Sequence, residues 1–182
     1  SVLYWHSPMV SLYVQCNPFC DVVADVDMSV LAAHGLALSS AGFAPSAEVS
    51  ESLFRALKAA GGELAVGGAG LGTARVANWL LRGSTGSESR FPVAYYGVVG
   101  DDEAGELVRS TLHSEGIAFV APSPADAEVP TGRCAVPIVN GERTTVACPG
   151  AWQHVPDDPA GDRDAASGAV GARSAASVLY VP

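Results

Sequence analysis

Residues 63–83 read ELAVGGAGLGTARVANWLLRG, and the fold turns on how this stretch is parsed. A strand-like run at 63–66 leads into four closely spaced glycines, Gly67, Gly68, Gly70 and Gly72, and a helical pattern follows from about Thr73. Val76, Trp79 and Leu80 recur at helical spacing and fall on one face of that helix. Glycine-rich strand-to-helix turns often hold an anion on the helix N-terminus. No Lys-Ser/Thr pair follows this one, so it is not a Walker A loop. It also misses the dinucleotide fingerprint, because Thr73 stands at the third glycine position and no acidic strand end follows about 20 residues on. Three readings stay open: a dinucleotide-dependent oxidoreductase, which the local pattern supports least, a tight turn with close helix packing, or a turn whose backbone lies against a polar ligand.

Working outward, 103–115 reads as a helix with Leu107 and Leu112 toward a core, ended by Gly116. FPVAYYGVVGDD before it and IAFVAP after it read as buried strands. Residues 63–121 therefore alternate strand, helix, strand, helix, strand, which argues for a parallel sheet with covering helices. Upstream, MVSLYVQC at 9–16 is a strand, Asn17 and Pro18 interrupt it, and VVADV resumes it. MSVLAAHG is a short helix closed by Gly35, and Ser46 caps a helix carrying Val49, Leu53 and Leu57. Downstream, TGRCAVPIVNGERTTVACPG is two β-rich runs joined by Asn140-Gly141, a hairpin signal that suggests an appended sheet, often a lid. Residues 159–177 are rich in Ala, Gly, Ser and Asp and read as a weak helix or connector, and SVLYVP reads as a further strand.

The chain has 182 residues, 48% of them hydrophobic, and a formal net charge of −9. That length and hydrophobicity suit one domain with a real core. Lys58 is the single lysine, and no basic stripe points to nucleic acid. No apolar run is long enough to span a bilayer, so no membrane association is expected. Cys16, Cys20, Cys134 and Cys148 lack the spacing of a metal set, as do the four histidines. The cysteines read as free, mostly buried thiols in a reducing compartment. The expected setting is the cytoplasm, with the nucleus as a second location.

Three further constellations carry chemistry. In NPFCD, Asp21 at a strand edge could grip vicinal hydroxyls, since a carboxylate accepts two O–H bonds from a diol. An Asx turn at a bulge explains the same residues equally well. In VVGDDEAG, Asp101 or Asp102 caps the next helix and Gly105 permits close packing. Arg143, just after the hairpin turn, is either solvated or placed to reach phosphate from a lid.

Taken in order, these segments resemble the ribokinase-like family of sugar and nucleoside kinases, and within it the adenosine kinase branch. NPFCDVVADVD looks like the family's opening Asn-Pro-x-x-Asp lid strand. VGGAGLGTARVANWLL looks like its Gly-Gly motif and helix. YYGVVGDDEAGELVRSTLHSEGI is similar to its Gly-x-x-Gly-x-Asp-x-x-Gly segment, and PTGRCAVPIVNGERTTVA to the hairpin after its Pro-Thr-Gly motif. ASVLYVP is similar to the next core strand. The resemblance runs from about Met9 to Pro182 and is weakest at 149–176.

The resemblance implies an α/β, ribokinase-like fold: a partial central parallel sheet with flanking helices plus a small β lid. It implies one truncated domain over 1–182, with lid strands at about 9–26 and 132–148 and an α/β core at about 46–121 and 150–182. Asp21 would bind the ribose hydroxyls, with Asn17 and Phe19 lining the nucleoside site. Gly67 and Gly68 would bring backbone against the sugar, with Gly72 at the motif's end. Cys134, Thr145 and Ala147 would face the base from the lid, and Arg143 would help neutralise phosphate. The reaction implied is transfer from Mg-ATP to the 5′-hydroxyl of adenosine, giving AMP in purine salvage.

The departures are equally specific. The family has a hydroxyl residue and an Asn where this chain has Ala69 and Gly72, so two polar contacts to ribose are missing. Its small-residue and Asn run after Ala147 is replaced by CPGAW. Its catalytic Asp, in a Gly-Ala-Gly-Asp turn, and the main ATP and Mg2+ sites have no counterpart in these residues. The expectation is the N-terminal part of such a kinase, carrying a nucleoside half-site, with no catalytic residue or metal ligand in this chain and oligomeric state open. A sugar kinase of the same family, or a non-catalytic nucleoside-binding fragment, is the alternative.

Overall fold

The computed structural model describes residues 12–85, 93–120, 128–154 and 177–180. Residues 159–176 of the expected connector at 159–177, and the expected strand residues 9–11, lie outside them. The chain builds two sheets. A four-stranded parallel sheet has the order β10-β1-β5-β6, from Ser177–Tyr180, Leu12–Gln15, Val93–Tyr96 and Ala118–Val120. A mixed sheet has the order β3-β9-β7-β2-β4, from Ala41–Phe43, Thr145–Cys148, Arg133–Val139, Phe19–Asp25 and Glu63–Gly67, with β8 (Glu142–Arg143) paired to β7. The expected class, a parallel sheet with flanking helices and a small β lid, is what the chain forms.

The parallel sheet carries α3 (Ala69–Thr85) and α4 (Glu103–Ser114) on one face. Val14, Val93, Tyr95, Leu71, Ala74, Val108 and Leu112 close the core between them. All four residues of β5 are buried, as expected of a parallel strand covered on both sides. The mixed sheet carries α2 (Ala47–Ala59), which buries Leu53, Phe54 and Leu57 against Val22, Ala24, Ala135 and Val146. Ser46 caps α2 by accepting the Val49 N–H, and Gly35 closes α1 (Met28–Ala33) at φ 65°. The Asn140-Gly141 turn has positive φ at both residues, 52° and 83°, as a tight hairpin between β7 and β8 requires.

Strand pairing redraws the expected division between lid and core. β1 pairs in parallel with β5, so residues 12–15 belong to the core sheet, and only from Phe19 does the chain enter the lid. The break at Cys16–Pro18 is the reason. Pro18 has no N–H to continue a ladder, and the chain changes sheets there. Likewise α2 and β4 belong to the lid. Gly61 (φ 91°) and the tightly enclosed Gly62 turn the chain back, so that β4 runs antiparallel beside β2. The parallel run within 63–121 therefore holds for β5 and β6 and not for β4.

α3 starts at Ala69, four residues before the expected Thr73, with Gly72 N–H donating to the Gly68 carbonyl at 2.9 Å. Gly70 lies in its first turn because the helix packs directly on Cys16, leaving no space for a side chain at 70. Val76, Trp79 and Leu80 do share a face, and that face is exposed. The core side of α3 is Leu71 and Ala74, flanked by Ala77 and Leu81. Among the described residues, no helix is long and apolar enough to cross a membrane.

Candidate acceptor-binding site

The chain passes between the two sheets at Cys16–Pro18, Gly67–Gly68, Pro130–Gly132 and Pro149–Gly150. These crossings lie against one another. A Cβ at Gly132 would come within 2.8 Å of the Pro149 carbonyl oxygen and 2.9 Å of that of Pro18. Gly68, at φ 100°, abuts the Asn17 carbonyl. Backbone packed this closely admits only glycine, and it sets the mixed sheet over the edge of the core.

Successive residues of a strand point to opposite faces. Since Val22, Ala135 and Val146 are buried against α2, the residues beside them face away from it. Asp21 is in register with Ala65 of β4 and Cys134 of β7, and Cys134 with Ala147 of β9. One row across the open face thus reads Ala65, Asp21, Cys134, Ala147. Phe19 is opposite Gly67 at the row's lower end, and Thr145 is two residues from Ala147 on the same face of β9. Gly67 opens space for Asp21: a side chain there would overlap the Asp21 carboxylate.

The half-buried Asp21 has its carboxyl pushed above the ordinary value by loss of solvent. A carboxylate so placed gains most from O–H donors that replace the lost water. Burial, and then the charge of Asp21, push the Cys134 thiol up to about 11, so it stands as a neutral, polarizable surface beside the carboxylate. All four cysteines are free.

The structure brings Phe19, Asp21, Cys134, Thr145 and Ala147 to the open face of the mixed sheet, with Gly67 and Gly68 at the crossing beside Phe19. Asn17 sits within the crossings. Its Oδ1 is buried close to Gly132, with no hydrogen-bond partner among the described residues. Gly72 is set apart. It lies on the exposed strip of α3 with Val76 and Trp79, a Cβ there meets nothing within 4 Å, and no contact joins it to Asp21. The reason is the early helix start, which turns position 72 outward. Arg143 is exposed on β8, opposite Ile138.

Sequence reasoning gave Asp102 and Gly105 structural roles only and missed Arg133. Asp102 caps α4 by accepting the Gly105 N–H at 2.9 Å, and it also accepts the Thr131 N–H at 3.0 Å and hydroxyl at 2.6 Å. Arg133 donates to it at 3.2 Å. Burial acts to raise the Asp102 carboxyl, but these hydrogen bonds outweigh it and hold the group below its ordinary value. The Pro-Thr-Gly segment and the helix cap, read separately from sequence, form one unit. The only sequence signal for it was the presence of hydrogen-bonding side chains in both.

Residues 44–164 match the pfkB family carbohydrate kinase domain. The chain belongs to that family. It is 32% identical over 145 residues to adenosine kinase from Dictyostelium discoideum, covering 79% of this chain and 40% of the relative. It is 30% identical over 138 residues to adenosine kinase 2 from Arabidopsis thaliana, covering 72% and 35%. The fold superposes on adenosine kinase from Anopheles gambiae, solved with P1,P4-di(adenosine-5) tetraphosphate, at a TM-score of 0.74 and 21% identity. That match covers 94% of this chain and 48% of the other. The apo adenosine kinase of Trypanosoma brucei brucei matches at 0.71 with 27% identity, covering 94% and 58%. The chain thus spans 35–40% of the length of the two curated adenosine kinases it matches.

Proposed function

We propose that this chain supplies the acceptor-binding part of an ATP-dependent adenosine kinase, with Asp21 holding the ribose diol. The observation that carries the reading is the Asp21 carboxylate, half-buried on the open face of the lid, with the missing side chain of Gly67 clearing the space around it. Two strand spacings, about 10 Å, separate Asp21 from Ala147, which suits a ribose and a heterocycle laid across Cys134. The curated relatives named above are adenosine kinases, which favours adenosine as the acceptor.

Asp21 accepts hydrogen bonds from the two ribose hydroxyls and fixes the sugar, so that its 5′-hydroxyl projects toward the crossings. Phe19 and Cys134 exclude water from one side. Such positioning converts a bimolecular encounter into an oriented one. Arg143, exposed on β8, is a cation suited to a phosphate approaching the hairpin. Among the described residues no group of three or more His, Cys, Asp or Glu could hold a metal ion. The part proposed for the residues named here is to bind and orient the acceptor. The cytoplasm remains the setting we propose.

The test is ligand-induced stabilisation of the protein by adenosine and by ribose. Adenosine should raise the melting temperature more than ribose, and Asp21→Ala should remove the shift. Equal shifts would favour the sugar-kinase reading. Adenosine binding without phosphoryl transfer in the longest natural form of the protein would favour a nucleoside-binding role.

A further inference from the structure

Cys20 and Arg133 are paired in register, one step below the Asp21–Cys134 pair on the same two strands. Their side chains point to the opposite face, toward α4. The Cys20 thiol donates to the Ala104 carbonyl at 3.4 Å, in the first turn of that helix. The Arg133 guanidinium donates to Asp102, the cap of the same turn, at 3.2 Å and to Glu51 of α2 at 2.9 Å. Its Cζ lies 4.7 Å from the centre of the Phe54 ring. Lys58 and Glu103 add an exposed ion pair between α2 and α4.

One charged side chain thus touches three elements: the lid strand that carries it, the lid helix behind it, and the first turn of a core helix. The row it grips is the immediate neighbour of the row that carries Asp21. A strand is stiff over one residue, so whatever fixes the Cys20–Arg133 row relative to α4 fixes the Asp21 carboxylate relative to the parallel sheet.

We propose that Arg133 is a positioning residue for the acceptor site, acting through a clamp in which Asp102 holds it to the core and Glu51 and Phe54 hold it to the lid. This rests on the acceptor-site reading above for its ligand, but the clamp itself is measurable without one. The Arg133–Asp102 arm is the partly buried one and carries the positioning. The Glu51 carboxylate is more exposed and contributes less.

The experiment combines amide hydrogen exchange with adenosine titration on Arg133→Leu, Arg133→Lys, Asp102→Asn and the double variant Arg133→Leu/Asp102→Asn. Leu keeps the apolar stem over Phe54 and removes the charge. Asn at 102 keeps acceptor capacity for the helix cap and removes the charge. Arg133→Leu should speed exchange in 19–25 and 131–134 and weaken adenosine binding about tenfold, the loss of one charge-assisted hydrogen bond. Arg133→Lys should recover most of that loss, which a packing role would not predict. The double variant should be no worse than Asp102→Asn alone. Wild-type exchange in Arg133→Leu, or losses that simply add in the double variant, would overturn the clamp. If the unaltered protein binds no adenosine, the nucleoside reading fails, and the exchange data alone decide the clamp.

Discussion

The carboxylate of Asp21 occupies the space that a side chain at Gly67 would fill. The two residues sit on adjacent antiparallel strands, with Phe19 directly opposite Gly67. Gly67→Ala therefore forces Asp21 off its rotamer. The expected cost to stability is small, because the carboxylate is a side-chain end on an open face and can swing aside, but the adenosine-induced rise in melting temperature should be lost. Thermal denaturation with and without adenosine reads both. A variant that keeps the full adenosine shift would separate Asp21 from the diol.

Asp21 also sets a pH dependence. Its folded-state value is raised by burial. The fold thus favours the protonated form, and this contribution to stability is full below the unfolded value near 3.8 and is lost as pH rises through the folded value. At about pH 7 the ionised carboxylate is a cost that a bound diol offsets. Asp21→Asn should therefore raise the melting temperature of the free protein at neutral pH and weaken adenosine binding. The gain in stability should shrink as pH is lowered. Adenosine affinity in the unaltered protein should begin to fall at a higher pH than an ordinary carboxylate would give. Parallel melting curves and titrations across the acid range check each part, and a loss of stability in Asp21→Asn at neutral pH would contradict them.

Much of this was legible in the residues because it is local. The cap at Ser46, the Gly35 and Gly116 helix stops, the Asn140-Gly141 turn and the cap at Asp102 each depend on a few neighbouring residues. The partner of a strand does not. Nothing in LYVQ says that it pairs with 93–96, and nothing in ELAVG says that it turns back on β2, because pairing is decided by residues distant in the chain. The start of α3 was hidden for a different reason. Gly70 is a poor helix former, yet it is required where the helix meets Cys16. Arg133 carries no local signal in the sequence. Only the fold brings Asp102 and Glu51 to it.

The crossings between the sheets predict a sharp contrast between two glycines. A Cβ on Gly132 meets the carbonyl oxygens of Pro149 at 2.8 Å and Pro18 at 2.9 Å, which are backbone and cannot swing away. Gly42, in exposed β3, has nothing within 4 Å of the same position and no positive φ. Gly132→Ala should cost about 1–3 kcal/mol, and Gly42→Ala should lie within about 0.5 kcal/mol of the parent. Urea denaturation distinguishes them. Similar costs at the two sites would mean that the crossings are not packed backbone on backbone.

The rotation of α3 gives a last test. Leu71 is fully buried in the core between α3 and the parallel sheet, whereas Trp79, two helical turns on, is 73% exposed. The larger side chain should therefore matter less to the stability of this chain. Leu71→Ala leaves a cavity among Val14, Tyr95 and Val108 and should cost about 2–5 kcal/mol. Trp79→Gln removes an exposed ring and should change stability by no more than about 0.5 kcal/mol. The sequence pattern alone placed Trp79 with Val76 and Leu80 without saying which way that face points. Denaturation of the two variants decides it, and a larger loss at Trp79 than at Leu71 would mean that the helix packs through its other face.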